Sequence, residues 1–225
     1  MTWTYLLLDL GSILMPVLFI ADKRIRILTN LKALGVALMA GALVFIPWDV
    51  WFTRQGYWSF NPSYVIGVNL FGLPVEEWLF FLAIPYCMIF VWEVLHHYFP
   101  TPVSLATERL ITIMLLFISA IFCLMNTAHP YSCVVAAGLF VSIIGFRKWA
   151  GSAAMAGVYF LYPFHLIGFW TVNGVLTSLP VVIYHPDAIT GIRLGTIPVE
   201  DHLYSLLILM VCVGTYIRLR RPSVD

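Results

Sequence analysis

Two segments of the chain each place a pair of carboxylic acids two residues after a proline, at the start of a long apolar run. They read Pro-Val-Glu-Glu at residues 74–77 and Pro-Val-Glu-Asp at residues 198–201. Two carboxyl groups that lie close together can share one proton, so that one acts as an acid while the other accepts a proton. The pattern therefore favours acid–base chemistry. The candidate catalytic residues are Glu76, Glu77, Glu200, Asp201 and, from a neighbouring apolar run, Asp49.

The two acidic pairs belong to a longer internal duplication. Residues 60–77 align with residues 184–201 without a gap, at an offset of 124 positions, and the same offset places Lys23-Arg24 on Arg147-Lys148. One register thus relates the first 101 residues to the last 101. The elements that position the acids are therefore expected to occur twice.

Composition indicates that these elements are membrane-spanning helices. The chain has 225 residues, of which 61% are hydrophobic and 10% charged, and its mean hydropathy is +0.93. A soluble domain carries about 25% charged residues, so this chain cannot cover a water-facing surface. We expect an integral membrane protein in contact with the lipid bilayer. The net charge of +1 suggests no nucleic-acid partner.

Seven apolar runs are long enough, or nearly so, to cross about 30 Å of hydrocarbon. They cover residues 3–20, 31–52, 75–97, 108–127, 130–147, 153–177 and 198–217. The predicted fold is therefore an all-α integral membrane protein with seven transmembrane helices, arranged as two parallel three-helix repeats joined by a linker helix (3+1+3). The predicted divisions are repeat one at 1–101, the linker helix at 102–129 and repeat two at 130–225.

Basic residues predict the orientation. With seven spans, ten lysines and arginines lie on one side of the membrane, and only Arg54 and Arg193 lie on the other. Positive residues concentrate in cytoplasmic loops. We therefore expect a multi-pass protein of the inner (cell) membrane with its C-terminus in the cytoplasm and its N-terminus outside. Both acidic pairs then lie at the outer side.

Two readings of the acids and of the aromatic residues around them remain open. A proline followed by acids is also typical of an ordinary helix start at an interface, where the helix dipole favours negative charge. Its occurrence twice, with Asp9 and Asp49 predicted at a similar depth, favours function, because ionisable groups inside a membrane usually mark function. The aromatics suit an interfacial belt, or a wall that stabilises a carbocation and excludes water. The candidate substrate-binding residues are Trp48, Trp78, Phe81, Phe60 and Tyr204.

Residues 60–81 and 184–205, in which Pro-Val-Glu-Glu and Pro-Val-Glu-Asp each open an apolar helix, resemble the lycopene cyclase family of small membrane proteins. In that family the two repeats occur as separate subunits or fused, and this chain resembles the fused form. The resemblance implies an isomerase of the intramolecular-lyase type, which closes the ends of lycopene into β-ionone rings to give γ-carotene and then β-carotene. Lycopene and its carotenoid intermediates would be the substrates. The sequence leaves a homo-oligomer open.

The resemblance implies that one carboxylic acid protonates the terminal double bond and that a base removes a proton after ring closure. We predict Glu76 as the acid, with Glu77 or Asp49 as its partner, and Glu200 with Asp201 as the equivalent pair. No dinucleotide-binding glycine motif, phosphate loop or metal-ligand spacing is present in the sequence, so we expect no cofactor and no metal.

Three other functions remain open. A carotenoid hydratase would form the same cation but let water capture it. A membrane protein could bind a carotenoid without covalent attachment. A transporter with parallel repeats would place polar groups through both halves of the membrane, whereas the acids here gather on one side.

Overall fold

The computed structural model describes residues 2–22, 24–100 and 103–221, and the fold is helical. Lys23, the predicted boundary at residues 101 and 102, and the last four residues lie outside the described part. Seven α-helices lie within it. They are α1 (Thr4–Phe19), α2 (Leu31–Arg54), α3 (Val75–Tyr98), α4 (Leu105–Met125), α5 (Pro130–Ala150), α6 (Ser152–Ser178) and α7 (Val199–Leu219).

Six of these helices, α2 to α7, are long and apolar enough to cross a membrane. They coincide with the second to seventh predicted spans to within a few residues. The helix α1 has only 16 residues, about 24 Å at 1.5 Å per residue, which is shorter than the hydrocarbon layer. The first helix is therefore the shortest of the seven in the described residues, and a seventh crossing stays a prediction.

Six short strands form three antiparallel pairs near the starts of α3 and α7. The strands are β1 (Trp58–Phe60), β2 (Asn69–Leu70), β3 (Leu73–Pro74), β4 (Val182–Tyr184), β5 (Arg193–Leu194) and β6 (Ile197–Pro198). Two hairpins, β2–β3 and β5–β6, lead directly into α3 and α7. The pair β1–β4 joins the two copies, with Trp58 opposite Tyr184. We call this end of the bundle the strand end.

Proline sets the start of both acid-bearing helices. Pro74 and Pro198 immediately precede α3 and α7 in an extended conformation, with φ of −56° in both and ψ of 147° and 143°. The ring fixes φ and lacks an N–H group, which suits a residue that ends a strand and precedes a helix. The first turns of α3 and α7 then carry Glu76 and Glu77, and Glu200 and Asp201.

The helix α7 is the centre of the bundle. Thirteen of its residues are buried, and it packs against α2, α3, α5 and α6. Close approach depends on glycine at two places, because a Cβ on Gly41 of α2 would overlap the Cys212 side chain and one on Gly214 of α7 would overlap the Phe146 ring. Small residues let membrane helices pack backbone to backbone. The helix α4 is peripheral and buries only Glu108, Thr112 and Ser119.

Candidate functional site

An apolar cavity of about 500 Å³ extends inward from the strand end and receives a carboxyl group from each copy. It is enclosed mainly by α1, α3, α6 and α7, and by side chains of β1 and β4. Three carboxylic acids line it: Asp49 of α2, Glu77 of α3 and Asp201 of α7. The second acid of each sequence pair thus faces the same space as its counterpart.

The Glu77 carboxyl group is held by a tyrosine of the first helix. Tyr5 donates its hydroxyl to Glu77 Oε2 at 2.5 Å, and both residues are buried. Tyr5 is itself fixed because its backbone N–H donates to the carbonyl of Tyr64 at 3.1 Å. Glu77 therefore has one neutral donor and a fixed position at the cavity wall.

The Asp201 carboxyl group receives two such hydrogen bonds. Tyr131 of α5 donates to Oδ1 at 2.6 Å and Tyr184 of β4 donates to Oδ2 at 2.7 Å. Burial and the neighbouring Asp201 charge raise the pKa of Tyr184 well above its ordinary value. The phenol therefore keeps its proton, and both oxygens of Asp201 are hydrogen-bonded.

Sequence reasoning missed Tyr5 and Tyr131. Tyr5 lies 72 residues before its acid and Tyr131 lies 70 residues before its own, so the uniform offset of 124 does not align them. Each copy has a tyrosine at the second position of its first helix. The equivalence of the two tyrosines appears only when the alignment of the two copies includes a two-residue gap after that helix.

The first acid of each pair has a different partner. Glu76 Oε1 accepts the backbone N–H of Ile66 at 2.6 Å, and Glu200 Oε1 accepts that of Thr190 at 2.7 Å and the hydroxyl of Ser132 at 2.6 Å. Both carboxyl groups are fully buried and outside the cavity lining. Their observed contacts tie the loop before each hairpin to the helix that follows.

These contacts predict different effects for amide and apolar replacements at Glu200. Glu200→Gln retains an oxygen that can accept from Thr190, so protein accumulation in the membrane should stay near wild type. Glu200→Leu leaves the Thr190 N–H and the buried Ser132 hydroxyl without that acceptor, which costs about 1–3 kcal/mol, and accumulation should fall. Quantitative immunoblotting of membranes measures the accumulation of both variants. Equal accumulation would contradict the role of Glu200 in holding the loop before the second hairpin to α7.

Asp49 and Tyr204 bring unpartnered polar atoms to the cavity. The Trp58 side chain lies beside the Asp49 carboxyl group, but Asp49 Oδ2 and the Tyr204 hydroxyl have no hydrogen-bond partner in the described part of the chain. His165 of α6 also lines the cavity, with its Nε2 unpartnered there. Buried polar atoms are normally satisfied, so these groups require an explanation such as a water or a substrate.

The predicted aromatic wall is present only in part. Phe60, Phe81 and Tyr204 line the cavity, whereas Trp48 and Trp78 do not. Trp48 packs behind Tyr204, with ring centroids 5.8 Å apart. Trp78 points to the surface, where its indole N–H donates to the Leu70 carbonyl at 3.3 Å.

Helix rotation explains which residues of α3 face the cavity. The residues of α3 that line the cavity recur with helical spacing and form one stripe along the helix. Residues adjacent in sequence are rotated about 100° from each other around the helix axis. The positions at 76 and 78 therefore point away when Glu77 points in. The residues of α3 that line the cavity are Glu77, Phe80, Phe81, Ile84, Cys87, Met88 and Val91.

Aromatic rings close the cavity at the strand end. Trp58 meets Tyr131 edge to face at 5.2 Å, and Tyr131 stacks on Tyr184 at 6.0 Å. The β1–β4 register sets Trp58 opposite Tyr184, which donates its hydroxyl to Asp201. In residues 2–22, 24–100 and 103–221, no group of three or more His, Cys, Asp or Glu side chains is arranged to hold a metal ion.

Comparison with known proteins gives one family. The family model described as lycopene cyclase matches residues 2–95 and again residues 126–219. Three curated fungal proteins, each named bifunctional lycopene cyclase/phytoene synthase, are similar to parts of the chain. The protein of Podospora anserina is 30% identical over 76 residues, that of Leptosphaeria maculans 32% over 111 residues, and that of Aspergillus oryzae 38% over 94 residues.

These matches are partial on both sides. They cover 34%, 48% and 39% of this chain and 13%, 19% and 16% of the respective fungal proteins. The chain thus spans less than a fifth of the length of the curated relatives it matches. No solved structure matches it.

Proposed function

Because this chain belongs to the lycopene cyclase family, we propose that it closes the linear ends of lycopene into β-ionone rings, giving γ-carotene and then β-carotene. The observation that carries the proposal is one apolar cavity with a tyrosine-bonded carboxyl group from each copy. Such a space suits a hydrocarbon, and its few polar groups suit a reaction that needs only a proton donor and a proton acceptor.

The reaction moves one proton in and one proton out, with no net oxidation or reduction. A carboxylic acid protonates C2 of the terminal C1=C2 bond and leaves a tertiary cation at C1. The electron pair of the C5=C6 bond then forms the C1–C6 bond and moves the cation to C5. Loss of the C6 proton to a base creates the C5=C6 bond of the β ring.

Hydrogen bonding divides the roles between the two copies. Hydrogen-bond donors stabilise a charged carboxylate, and Asp201 has two tyrosine donors where Glu77 has one. We assign Glu77 as the acid and Asp201 as the base, with Asp49 as an additional proton acceptor at the wall. This assignment replaces Glu76 as the expected acid. Glu76 and Glu200 become positioning residues that hold the loops.

The aromatic wall would act on the cation. Ring faces attract a positive charge, and Phe60, Phe81 and Tyr204 lie in the same cavity as the acids. The rings of Trp58, Tyr131 and Tyr184 close the strand end and would keep water away from the cation. Trp48 supports Tyr204 from behind and Trp78 lies at the surface.

Hydration is the one alternative that an observation favours. The unpartnered Asp49 Oδ2 and Tyr204 hydroxyl would hold a water molecule at the cavity wall. The oxygen of that water would bond to the cation and its proton would pass to a carboxylate, in place of loss of the C6 proton. The product would then be a tertiary alcohol, which is more polar than a carotene.

We also propose the arrangement around this site. The division into repeat one at 1–101, the linker helix at 102–129 and repeat two at 130–225 is supported by the two acids that meet in one cavity and by peripheral α4. The strand end would face outward from the inner membrane, with the N-terminus outside and the C-terminus in the cytoplasm. Arg147 and Arg220 pair with Glu108 and Glu93 at the opposite end, consistent with a basic cytoplasmic side.

Expression in a bacterium that accumulates lycopene tests the function, with reversed-phase HPLC of the extracted pigment as the readout. We expect γ-carotene and β-carotene to replace lycopene. A hydroxylated product would select hydration instead. Unchanged lycopene, with the protein present in the membrane, would contradict both.

A further inference from the structure

The cavity is open on one side, between α1 and α6. Several of its lining residues there are exposed: the Leu7 side chain is 64% exposed and Phe164 is 42% exposed. In contrast, Phe81 and Leu161, which line the cavity from deeper in the bundle, are 2% and 0% exposed. The cavity therefore communicates with the outside of the bundle through this gap.

Each helix that borders the gap carries an exposed glycine. Gly11 of α1 and Gly168 of α6 both line the cavity and are both exposed. A Cβ built on either glycine would have no described atom within 4 Å. Larger residues at these two positions would therefore extend into the opening without a clash.

The gap lies at the depth of the lipid tails. Gly11 is near the middle of α1 (Thr4–Phe19), and Gly168 is about 15 Å from the strand end of α6. The cavity itself extends along α3 from Glu77 to Val91, about 21 Å. A molecule that passes through the gap comes from hydrocarbon and not from water.

The corresponding gap between α2 and α5 is closed. A Cβ added to Gly138 of α5 would lie 2.8 Å from the ring of Trp48 of α2. The indole therefore fills the space between α2 and α5, whereas the equivalent space between α1 and α6 stays open. In the described structure, only the α1–α6 side therefore combines exposed cavity-lining residues with an exposed, cavity-lining glycine on each helix.

We propose that the gap at Gly11 and Gly168 is a lateral portal through which a linear C40 hydrocarbon enters from the bilayer. This inference rests on the proposed function. One end of the chain reaches the acids at the strand end, and the unreacted remainder lies in the portal and extends into the lipid. The portal thus lets one end of the substrate reach Glu77 and Asp201 while the other end stays in the lipid.

Filling the portal tests the proposal. Gly11→Leu, Gly168→Leu and the double variant are compared with Gly35→Leu and Gly145→Leu. The two control glycines are also exposed on helices with no atom within 4 Å, but they do not line the cavity. We expect the double variant to convert lycopene at least ~10-fold more slowly, with the controls within ~2-fold of wild type.

A binding measurement separates the portal from the reaction. Each glycine variant is combined with Glu77→Gln, purified in detergent from lycopene-accumulating cells, and assayed for bound lycopene by its absorbance per mole of protein. Less pigment in the portal variants than in the controls supports the portal, even if the wild-type chain converts nothing and the proposed function fails. Equal pigment in portal and control variants, or none in any of them, overturns the portal.

Discussion

Glu77→Gln should lower the conversion of lycopene by at least ~100-fold, the size of effect expected when a general acid is lost. Glutamine can still accept the Tyr5 hydroxyl and fill the same volume, so the fold should persist. It cannot supply a proton to the terminal double bond. HPLC of pigment per unit of membrane-inserted protein measures the effect.

Glu93→Gln is the matched control for Glu77→Gln. Glu93 is also a buried carboxylic acid of α3 that accepts a tyrosine hydroxyl, from Tyr216 at 2.7 Å, but it lies at the opposite end of the helix and outside the cavity. Its replacement should leave conversion within a few-fold of wild type. Full activity of Glu77→Gln together with inactive Glu76→Gln would return the acid role to Glu76.

Asp201→Asn should impair the last step of the reaction, the removal of the C6 proton. Protonation by Glu77 and ring closure can still occur, but the cation then lacks its main proton acceptor. We expect conversion to fall by about 100-fold, and the residual product to include isomers in which another proton is lost or water has added. HPLC with mass detection distinguishes these products, because water addition raises the mass by about 18 Da and isomerisation does not change it.

The tyrosines provide the control for Asp201→Asn. Tyr184→Phe removes one donor to Asp201 and leaves Tyr131, so its effect should be about 10-fold or less and should not change the product. An Asp201→Asn variant with wild-type rate and product would exclude Asp201 as the base, and Asp49 would then be the next residue to replace.

Much of the architecture was predictable because it depends on local patterns. Long apolar runs give helices, and the proline before each acidic pair marks where α3 and α7 begin. The choice between Glu76 and Glu77 was not predictable, because adjacent residues differ only in their direction around the helix. That direction depends on where α1, α6 and α7 pack, which is a property of the whole bundle.

The same limit explains why the sequence did not indicate the orientation of two tryptophans or the contacts of two tyrosines. Trp48 and Trp78 are adjacent in sequence to Asp49 and Glu77, but they point away from the side of the helix on which these acids face the cavity. Tyr5 and Tyr131 lie 72 and 70 residues from the acids they bond. Contacts of that kind leave no periodic trace in one sequence, and an ungapped alignment of the two copies hides their equivalence.

The central position of α7 has a consequence for biogenesis. It follows the other six helices along the chain, so it emerges last from the ribosome among them, and chains generally fold from the N-terminal side during synthesis. Until α7 inserts, Asp49 and Glu77 face a space that lacks Asp201 and Tyr204. Unfinished chains would therefore expose ionisable groups to lipid until α7 inserts.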